Sequence, residues 1–332
     1  MKLVIDTLGS DQGYTMAVEG TLSAMEKDNF DVVFCGPKEE IEKIVNKSSI
    51  DKNRIEYIDT DEYISNEEDP VRSIRRKKNS TTVKGLEYIN NEGADGFITA
   101  GSTGATLAGA IFIAKRLESV KRAFLGAVLP NGNKGFILAD TGANAEVSPE
   151  VLFQFGIIGS AYMKALKGIE NPRVGLLNIG SEEGKGSQNV KKAYDLFKDS
   201  HLNFVGNIEA RDALFDTCDV LVCDGFTGNI FLKTIEGTGK LFFSLLKESF
   251  MKSVKTKLGA LLVKNDLNKS LSKYNYKEYG GAPFLGVNTL IYKAHGNSDS
   301  ENFEKAILEL VDLVKKDVIN KIKIELEENL HD

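Results

Sequence analysis

Short apolar runs alternate along this chain with longer, helix-like stretches. Each run ends in Gly, Asp or Asn, after which a helical pattern usually resumes. This order is typical of the βαβ units of a parallel sheet with helices on both faces. The pattern therefore predicts an α/β protein with a doubly wound, mostly parallel sheet. The predicted strands are residues 3–5, 31–35, 54–58, 97–100, 136–139, 174–179, 203–205 and 219–223.

No Pro- or Ser-rich linker interrupts the pattern, so we predict a single α/β domain over residues 1–332 with a helical protrusion at 230–275. In the protrusion, Leu258, Leu261 and Leu262 recur at helical spacing among lysines. Such a stretch is either a core-facing or subunit-facing helix pair, or a surface that lies on an anionic membrane. Near the C-terminus, the periodicity of residues 301–330 predicts one long helix that packs on the sheet.

The composition excludes several classes of function. A net charge of −6 and a pI of about 5.4 disfavour a general role in binding nucleic acid. The three cysteines lack the spacing of metal ligands, so we expect no metal site and a reducing compartment. The sequence contains neither a signal-peptide pattern nor an apolar run long enough to span a membrane. We therefore expect a cytoplasmic protein.

The turn at residues 101–104 is the strongest candidate for a binding site. An apolar run ends at Gly101, and an alanine-rich stretch begins after Gly104. Ser102 and Thr103 between them can cap the helix, and unpaired backbone N–H groups at such a turn suit an anion such as phosphate. The same turn can also be a plain strand-to-helix connection.

Familiar nucleotide-binding signatures are absent or incomplete, so we expect no cofactor. The turn at 180–187 is one residue short of a P-loop, and Gly186 stands where the magnesium-binding Ser or Thr should follow Lys185. No intact GxGxxG motif or GxSxG elbow occurs. What remains is a set of glycine turns, carboxylates at strand ends, Lys185 and His295. These parts suit an acyl transfer onto phosphate, in which phosphate itself is the nucleophile.

A run of cations marks the helix that begins after Asp69 and Pro70. It contains five cations within seven residues, namely Arg72, Arg75, Arg76, Lys77 and Lys78. Such a run is either a solvated helix face or an electropositive rim for an anionic substrate or an acidic partner.

Nine sequence blocks resemble the phosphate acyltransferase family called PlsX, and together they extend over nearly the whole chain. The resemblance implies conversion of acyl-(acyl carrier protein) and inorganic phosphate into acyl phosphate for bacterial phospholipid synthesis. It also implies a homodimer with a fold similar to phosphate acetyltransferases and isocitrate dehydrogenases, and peripheral membrane association through the protrusion. The blocks are residues 6–11, 69–80, 100–105, 142–144, 173–180, 207–212, 224–229, 279–282 and 293–296.

With this resemblance, the candidate residues receive predicted roles. Ser102, Thr103, Lys185 and Asn229 surround the phosphate, and His295 is the general acid, oriented by Asp224 or Asp299. The cationic run docks the acidic carrier protein, and Leu258, Leu261 and Leu262 contact an anionic membrane. The remaining predicted substrate-binding residues are Asp6, Asp11, Gly101, Gly104, Asn144 and Gly228.

The chain departs from the family pattern at Ser10, Gln12 and Ser102. The family usually has Gly, His and Asn at these places. The departures bear on rate or acyl preference more than on reaction class. Two alternatives stay open: a small-acyl phosphotransacylase that uses coenzyme A, and a catalytically silent scaffold for the membrane or the carrier protein.

Overall fold

A computed structural model of the chain describes residues 1–272 and 280–330. Its strands are β1 (Lys2–Asp6), β2 (Asp31–Gly36), β3 (Ile55–Asp59), β4 (Gly96–Thr99), β5 (Phe124–Leu129), β6 (Phe136–Ala139), β7 (Arg173–Asn178), β8 (Asn203–Glu209), β9 (Val220–Val222), β10 (Gly281–Leu285) and β11 (Leu290–Ala294). Its α-helices are α1 (Gly13–Lys27), α2 (Lys38–Val45), α3 (Pro70–Arg76), α4 (Thr81–Glu92), α5 (Thr103–Gly109), α6 (Pro149–Lys167), α7 (Gln188–Lys198), α8 (Gly225–Met251), α9 (Val254–Ser272), α10 (Ser300–Lys315) and α11 (Val318–Leu330).

All of these strands form one mixed sheet, in the order β3-β2-β1-β4-β11-β10-β5-β6-β9-β7-β8. The five strands from β3 to β11 run parallel to one another, and so do the four strands from β6 to β8. Between them, β10 is antiparallel to both β11 and β5, and β5 is antiparallel to β6. The two parallel groups therefore run in opposite directions, and their carboxyl ends face opposite edges of the sheet.

Each of the eight predicted strands is present, and the α/β prediction is confirmed. The prediction missed β5, β10 and β11, which lie together at the centre of the sheet. Two of them, β5 and β10, lead through short loops into an antiparallel neighbour instead of into a helix. A search for apolar runs followed by helices could not find these two.

Successive side chains of a strand point to opposite faces of the sheet. Apolar side chains therefore lie on both faces, and helices cover both of them. In β1, Leu3 and Ile5 join the core beneath α1, α6, α10 and α11, whereas Val4 joins a separate core beneath α4. At the C-terminus, the prediction of one long helix is wrong. The helix breaks between Lys315 and Val318, where Asp317 has a φ of 52°. Asp tolerates this left-handed conformation better than most residues, and neither Pro nor Gly marks the break.

A helical hairpin formed by α8 and α9 occupies most of the predicted protrusion. After Phe231, no residue from 232 to 267 is buried. Leu258, Leu261 and Leu262 are 58%, 68% and 84% exposed. Residues 273–275, the end of the predicted protrusion, lie outside the described residues. Among the helices that the structure describes, none is both long and apolar enough to cross a membrane.

Candidate active site

A cavity of about 370 Å³ runs along the central strand β5, from Leu125 to Leu129. Its lining also includes Gly142 after β6, Asn229 in the first turn of α8, the start of β10 and the end of β11. Turns from the two oppositely directed halves of the sheet thus meet over β5. The polar side chains that line the cavity are those of Thr103, Thr141, Asn229, Lys233, Glu236, Lys293 and His295.

The predicted turn at 101–104 forms part of this cavity through Thr103. Ser102 is the N-cap of α5, as predicted, and its Oγ accepts a hydrogen bond from the Ala105 N–H at 3.4 Å. A buried network supports the turn from below. Gly101 N–H donates to Thr99 Oγ1 at 2.9 Å, and Thr99 Oγ1 in turn donates to Asp6 Oδ2 at 3.0 Å.

Asp6 lies inside the protein, so the prediction that it binds substrate does not fit its position. It is 2% exposed and also accepts a hydrogen bond from Thr82 Oγ1 at 2.8 Å. Burial raises its pKa, although the hydrogen bonds from neighbouring threonines oppose this. Asp6 therefore positions the turn at 101–104. Asp11, by contrast, is exposed and lies beside the turn after β11, because its N–H donates to the Gly296 carbonyl at 3.0 Å.

The glycines in and beside the 101–104 turn allow it to pack closely against neighbouring segments. Neither Gly101 nor Gly104 has a positive φ. A Cβ on Gly104 would lie 2.6 Å from Pro70 Cγ, and one on Gly9 would lie 3.0 Å from Gly101 Cα. Any side chain at Gly9 or Gly104 would thus push the turn away from its neighbours.

Asp140 shapes the wall formed by residues 140–144. This fully buried carboxylate accepts hydrogen bonds from the backbone N–H groups of Gly142, Ala143 and Asn144 at 2.8–3.1 Å. Burial raises its pKa, and these bonds oppose the rise. The Asn144 side-chain amide donates to Asp140 Oδ2 and to the Ala123 carbonyl, so it stabilises the loop. Gly228 is required because a Cβ there would lie 1.8 Å from the Asp140 carbonyl oxygen.

Lys293 is the buried cation of the cavity. It is 8% exposed, and its Nζ donates to the carbonyl oxygens of Ala100 (3.2 Å) and Ala294. Among the described residues, no carboxylate forms an ion pair with it. Burial lowers its pKa to about 8, against the attraction of the Asp6 and Asp11 carboxylates. The group still carries a positive charge at neutral pH.

His295 lies at the cavity rim, two residues after Lys293. Its side chain remains open to solvent, yet the surrounding protein lowers its pKa, first through desolvation and then through the charge of Lys293. Glu236 on α8 opposes this shift. The imidazole is therefore neutral at pH 7, so it can accept a proton before it donates one.

Asp224 and Lys185, which the sequence predicted to be catalytic, lie outside the lining of the central cavity. Asp224 is the N-cap of α8 and accepts hydrogen bonds from the Thr227 N–H (2.8 Å) and Oγ1 (3.1 Å). Asp299, the alternative partner predicted for His295, likewise caps α10. Lys185 is exposed in the turn after β7, where its Nζ lies 3.7 Å from Glu182 Oε1. Neither Asp224 nor Lys185 lines the central cavity.

The cationic run begins as predicted, with Asp69 as N-cap and Pro70 in the first turn of α3. Arg72, Arg75, Arg76 and Lys78 are exposed. Lys77 differs from them because its Nζ forms an ion pair with Glu68 at 2.8 Å, which lowers the pKa of Glu68 to about 2, and donates to the Tyr63 carbonyl. Four of the five predicted docking cations thus face solvent.

The departures from the family pattern are accommodated locally. Ser10 Oγ donates to the Gly13 carbonyl at 3.1 Å, and Gln12 precedes α1 without a side-chain capping bond. Neither residue lines the central cavity.

The family described as fatty acid synthesis protein matches residues 1–321. The chain belongs to this family. A phosphate acyltransferase from Clostridioides difficile is 43% identical over 323 residues, which cover 97% of this chain and 95% of the relative. One from Clostridium novyi is 43% identical over 331 residues, with 99% and 100% covered. These matches confirm the PlsX resemblance and the expectation of an acyltransferase enzyme.

The fold is similar to that of solved phosphotransacetylases. The enzyme from Streptococcus pyogenes superposes with a TM-score of 0.60 at 16% identity, over 95% of this chain and 94% of that one. EutD phosphotransacetylase from Staphylococcus aureus gives a TM-score of 0.58 at 15% identity, with the same coverage. At this identity the likeness concerns the fold alone, and it agrees with the fold expected from the resemblance.

Sequence reasoning missed the two charged groups that organise the cavity, Lys293 and Asp140. Lys293 is the only cation in the apolar run 290–294, and Asp140 directly follows the strand at 136–139. Lys and Asp are seldom fully buried. A charged residue inside or next to an apolar run was therefore the sequence signal that could have indicated a functional role.

Proposed function

We propose that this protein makes acyl phosphate from long-chain acyl-(acyl carrier protein) and inorganic phosphate, as a step of bacterial phospholipid synthesis. The observation that carries the proposal is the buried Lys293 ammonium beside His295, Thr103 and Asn229 in the central cavity. A dianionic nucleophile and a developing oxyanion both need a fixed positive charge in a site of low dielectric.

In the proposed reaction, an oxygen of phosphate attacks the thioester carbonyl carbon. A C–O bond forms, the carbonyl oxygen becomes an oxyanion, and the C–S bond then breaks to release acyl phosphate and the carrier thiolate. Lys293 holds the phosphate and offsets the charge of the tetrahedral intermediate. Thr103 and Asn229 supply neutral hydrogen-bond donors that fix the orientation of the phosphate.

The lowered pKa of His295 refines its predicted role as a general acid. A neutral imidazole first accepts the proton of the attacking hydrogen phosphate and then donates it to the departing thiolate. The thiol thus receives the proton that the phosphate lost, and no external acid is needed. Because a thiol with a pKa near 8.5 is a good leaving group, the second transfer needs little assistance.

The decisive experiment incubates the protein with palmitoyl-(acyl carrier protein) and phosphate and measures acyl phosphate as its hydroxamate. We expect product that requires both substrates. Acetyl-CoA in place of the carrier substrate tests the alternative of a small-acyl phosphotransacylase. Turnover of acetyl-CoA alone would replace the proposed substrate, and the absence of turnover with either donor would favour a silent scaffold.

We also propose that the carrier protein docks on four exposed cations, Arg72, Arg75 and Arg76 on α3 and Lys78 just after it. Attraction between opposite charges accelerates association, and near physiological salt this attraction is screened over about 8–10 Å. Lys77, the C-cap of α3, forms the ion pair with Glu68 instead, so we assign it a structural role and assign the docking role to its neighbours.

The exposed hairpin supports two further proposals, a homodimer and peripheral attachment to an anionic membrane. On α8, the apolar side chains of Leu241, Phe242 and Phe243 are 51–60% exposed and suit a second copy of the chain. On α9, Leu258, Leu261 and Leu262 share one helix face, flanked by Lys255, Lys257 and Lys264. Each lysine near an anionic surface contributes about 1 kcal/mol and each buried CH₂ about 0.8 kcal/mol. These contributions suffice for reversible attachment.

Vesicle cosedimentation and gel filtration separate these two roles. We expect binding to anionic but not to neutral vesicles, and loss of binding in the double variant Leu258→Glu with Leu261→Glu, which should remain a dimer. Ile324→Glu, at a similarly exposed site on α11 (54%), is the matched control. If the double variant becomes monomeric and still binds vesicles, α9 is a subunit interface and the membrane proposal is wrong.

A further inference from the structure

We infer that a second cavity, between α3 and α5, holds the hydrocarbon chain of the acyl substrate. This inference rests on the proposed function and assigns a separate site to the part of the substrate that does not react. The cavity has a volume of about 820 Å³, more than twice that of the central cavity. A volume in this range accommodates a sizeable ligand, whereas an acetyl group would leave most of it empty.

The walls of this acyl cavity are largely apolar. Pro70 and Val71 contribute from the start of α3, and Leu107 contributes from α5. Ile111 and Phe112 contribute from the π-helical turn that follows α5. Val71 and Phe112 are 42% and 49% exposed, so the chain of the substrate would remove their apolar surface from water.

The acyl cavity adjoins the central cavity. Gly142 lines both, and the adjacent residues Thr103 and Gly104 line the central and the acyl cavity respectively. Because Gly142 has no side chain, only its backbone separates the central cavity from the acyl cavity at this point. A Cβ at Gly142 would lie 3.6 Å from the Asn229 side chain. A thioester at Gly142 can therefore face the proposed phosphate site while its chain extends along α5.

Four cations lie in or beside the acyl cavity. Arg116, Lys121 and Arg122 are among its lining residues, and the Arg75 guanidinium lies over the ring of the lining residue Phe112, 5.1 Å from its centroid. An apolar slot with a cationic rim complements an apolar chain presented by an acidic carrier. Arg75 belongs to the proposed docking helix α3, so the proposed carrier site lies next to the acyl cavity.

Tryptophan reporters test occupancy without turnover, because the chain contains no Trp. Phe112→Trp places the fluorophore in the acyl cavity, and Val205→Trp places one on the edge strand β8. A dibrominated stearate quenches tryptophan on contact. We expect saturable quenching of Phe112→Trp that unbrominated stearate reverses, and no saturable quenching of Val205→Trp. Equal quenching of both reporters, or none in either, would overturn the inference whether or not the protein makes acyl phosphate.

Chain-length kinetics provide the second test. Val71→Trp narrows the acyl cavity, and Val205→Trp is its control because both valines are 42% exposed. Burying each CH₂ changes affinity about fourfold, so exclusion of a few methylenes should raise the KM for palmitoyl-(acyl carrier protein) at least about tenfold. The KM for the butyryl substrate should stay unchanged in both variants. A KM that rises equally for both substrates, or for neither, would contradict the inference while leaving the proposed reaction standing.

Discussion

Two glycine-containing turns in this protein have the same local pattern and different surroundings. The turn at 101–104 follows β4 and precedes α5, and the turn at 180–187 follows β7 and precedes α7. The first is supported by buried Thr99 and Asp6 and reaches the central cavity. The second carries an exposed Lys185, whose Nζ lies 3.7 Å from Glu182 Oε1 within the same turn.

The difference comes from the positions of β4 and β7 in the sheet. β4 is next to β11, one of the central strands, whereas β7 is next to the edge strand β8 in the oppositely directed half. Glycine content makes a tight turn possible, but the strand order decides which turns converge. Lysine shows the same contrast, since Lys293 is buried in the cavity and Lys185 is solvated.

The largest effect is expected from Lys293→Met, which keeps the volume of the side chain and removes its charge. Loss of a group that stabilises an oxyanion typically lowers kcat by about 10²–10³, and we expect a loss of this size. Thermal unfolding measured in parallel shows whether the variant stays folded. A folded Lys293→Met variant with normal kcat would remove the lysine from the proposed mechanism.

The second largest effect is expected on the pH dependence of turnover, when Lys293 or His295 is replaced. Activity needs neutral His295 and charged Lys293, so it should fall as the pH drops through the lowered pKa of His295 and as the pH rises through about 8. Lys293→Arg should move the alkaline limb upward, because arginine stays protonated. His295→Gln should remove the acid limb and lower kcat by no more than about 10², since the thiolate leaves readily. An unchanged profile in both variants would assign the limbs to other groups.

The outer strands and several residues of the central cavity could be predicted, whereas the central strands and Lys293 could not. Strand, turn and helix follow one another locally in the βαβ units, so the eight outer strands and the N-caps Ser102 and Asp69 were predictable. The antiparallel strands β5 and β10 pair across about 160 residues, as in Phe284 with Leu125, and no local pattern encodes that pairing. The burial of Lys293 depends on the same long-range arrangement, because its Nζ donates to the carbonyl of Ala100.

A smaller effect is expected from reversing charge on α3. Arg75→Glu with Arg76→Glu should raise the KM for the carrier substrate about tenfold at low salt, and the difference should shrink as salt screens the charges. Lys77→Met, which removes a neighbouring charge already paired with Glu68, is the control and should leave this KM nearly unchanged. If Lys77→Met weakens binding as much as the double variant does, net charge rather than a docking face governs the interaction.

The smallest effect is expected from Lys185→Met, although the sequence predicted Lys185 beside the phosphate. Its side chain is 48% exposed and faces Glu182. An exposed ion pair contributes about 0–1 kcal/mol, so kcat/KM for phosphate should change less than about fivefold. Measured next to Lys293→Met at the same phosphate concentrations, this variant decides which lysine holds the anion. A phosphate KM that rises as much in Lys185→Met as in Lys293→Met would mean that the 180–187 turn closes over the central cavity during turnover, and that both glycine turns act on the same phosphate.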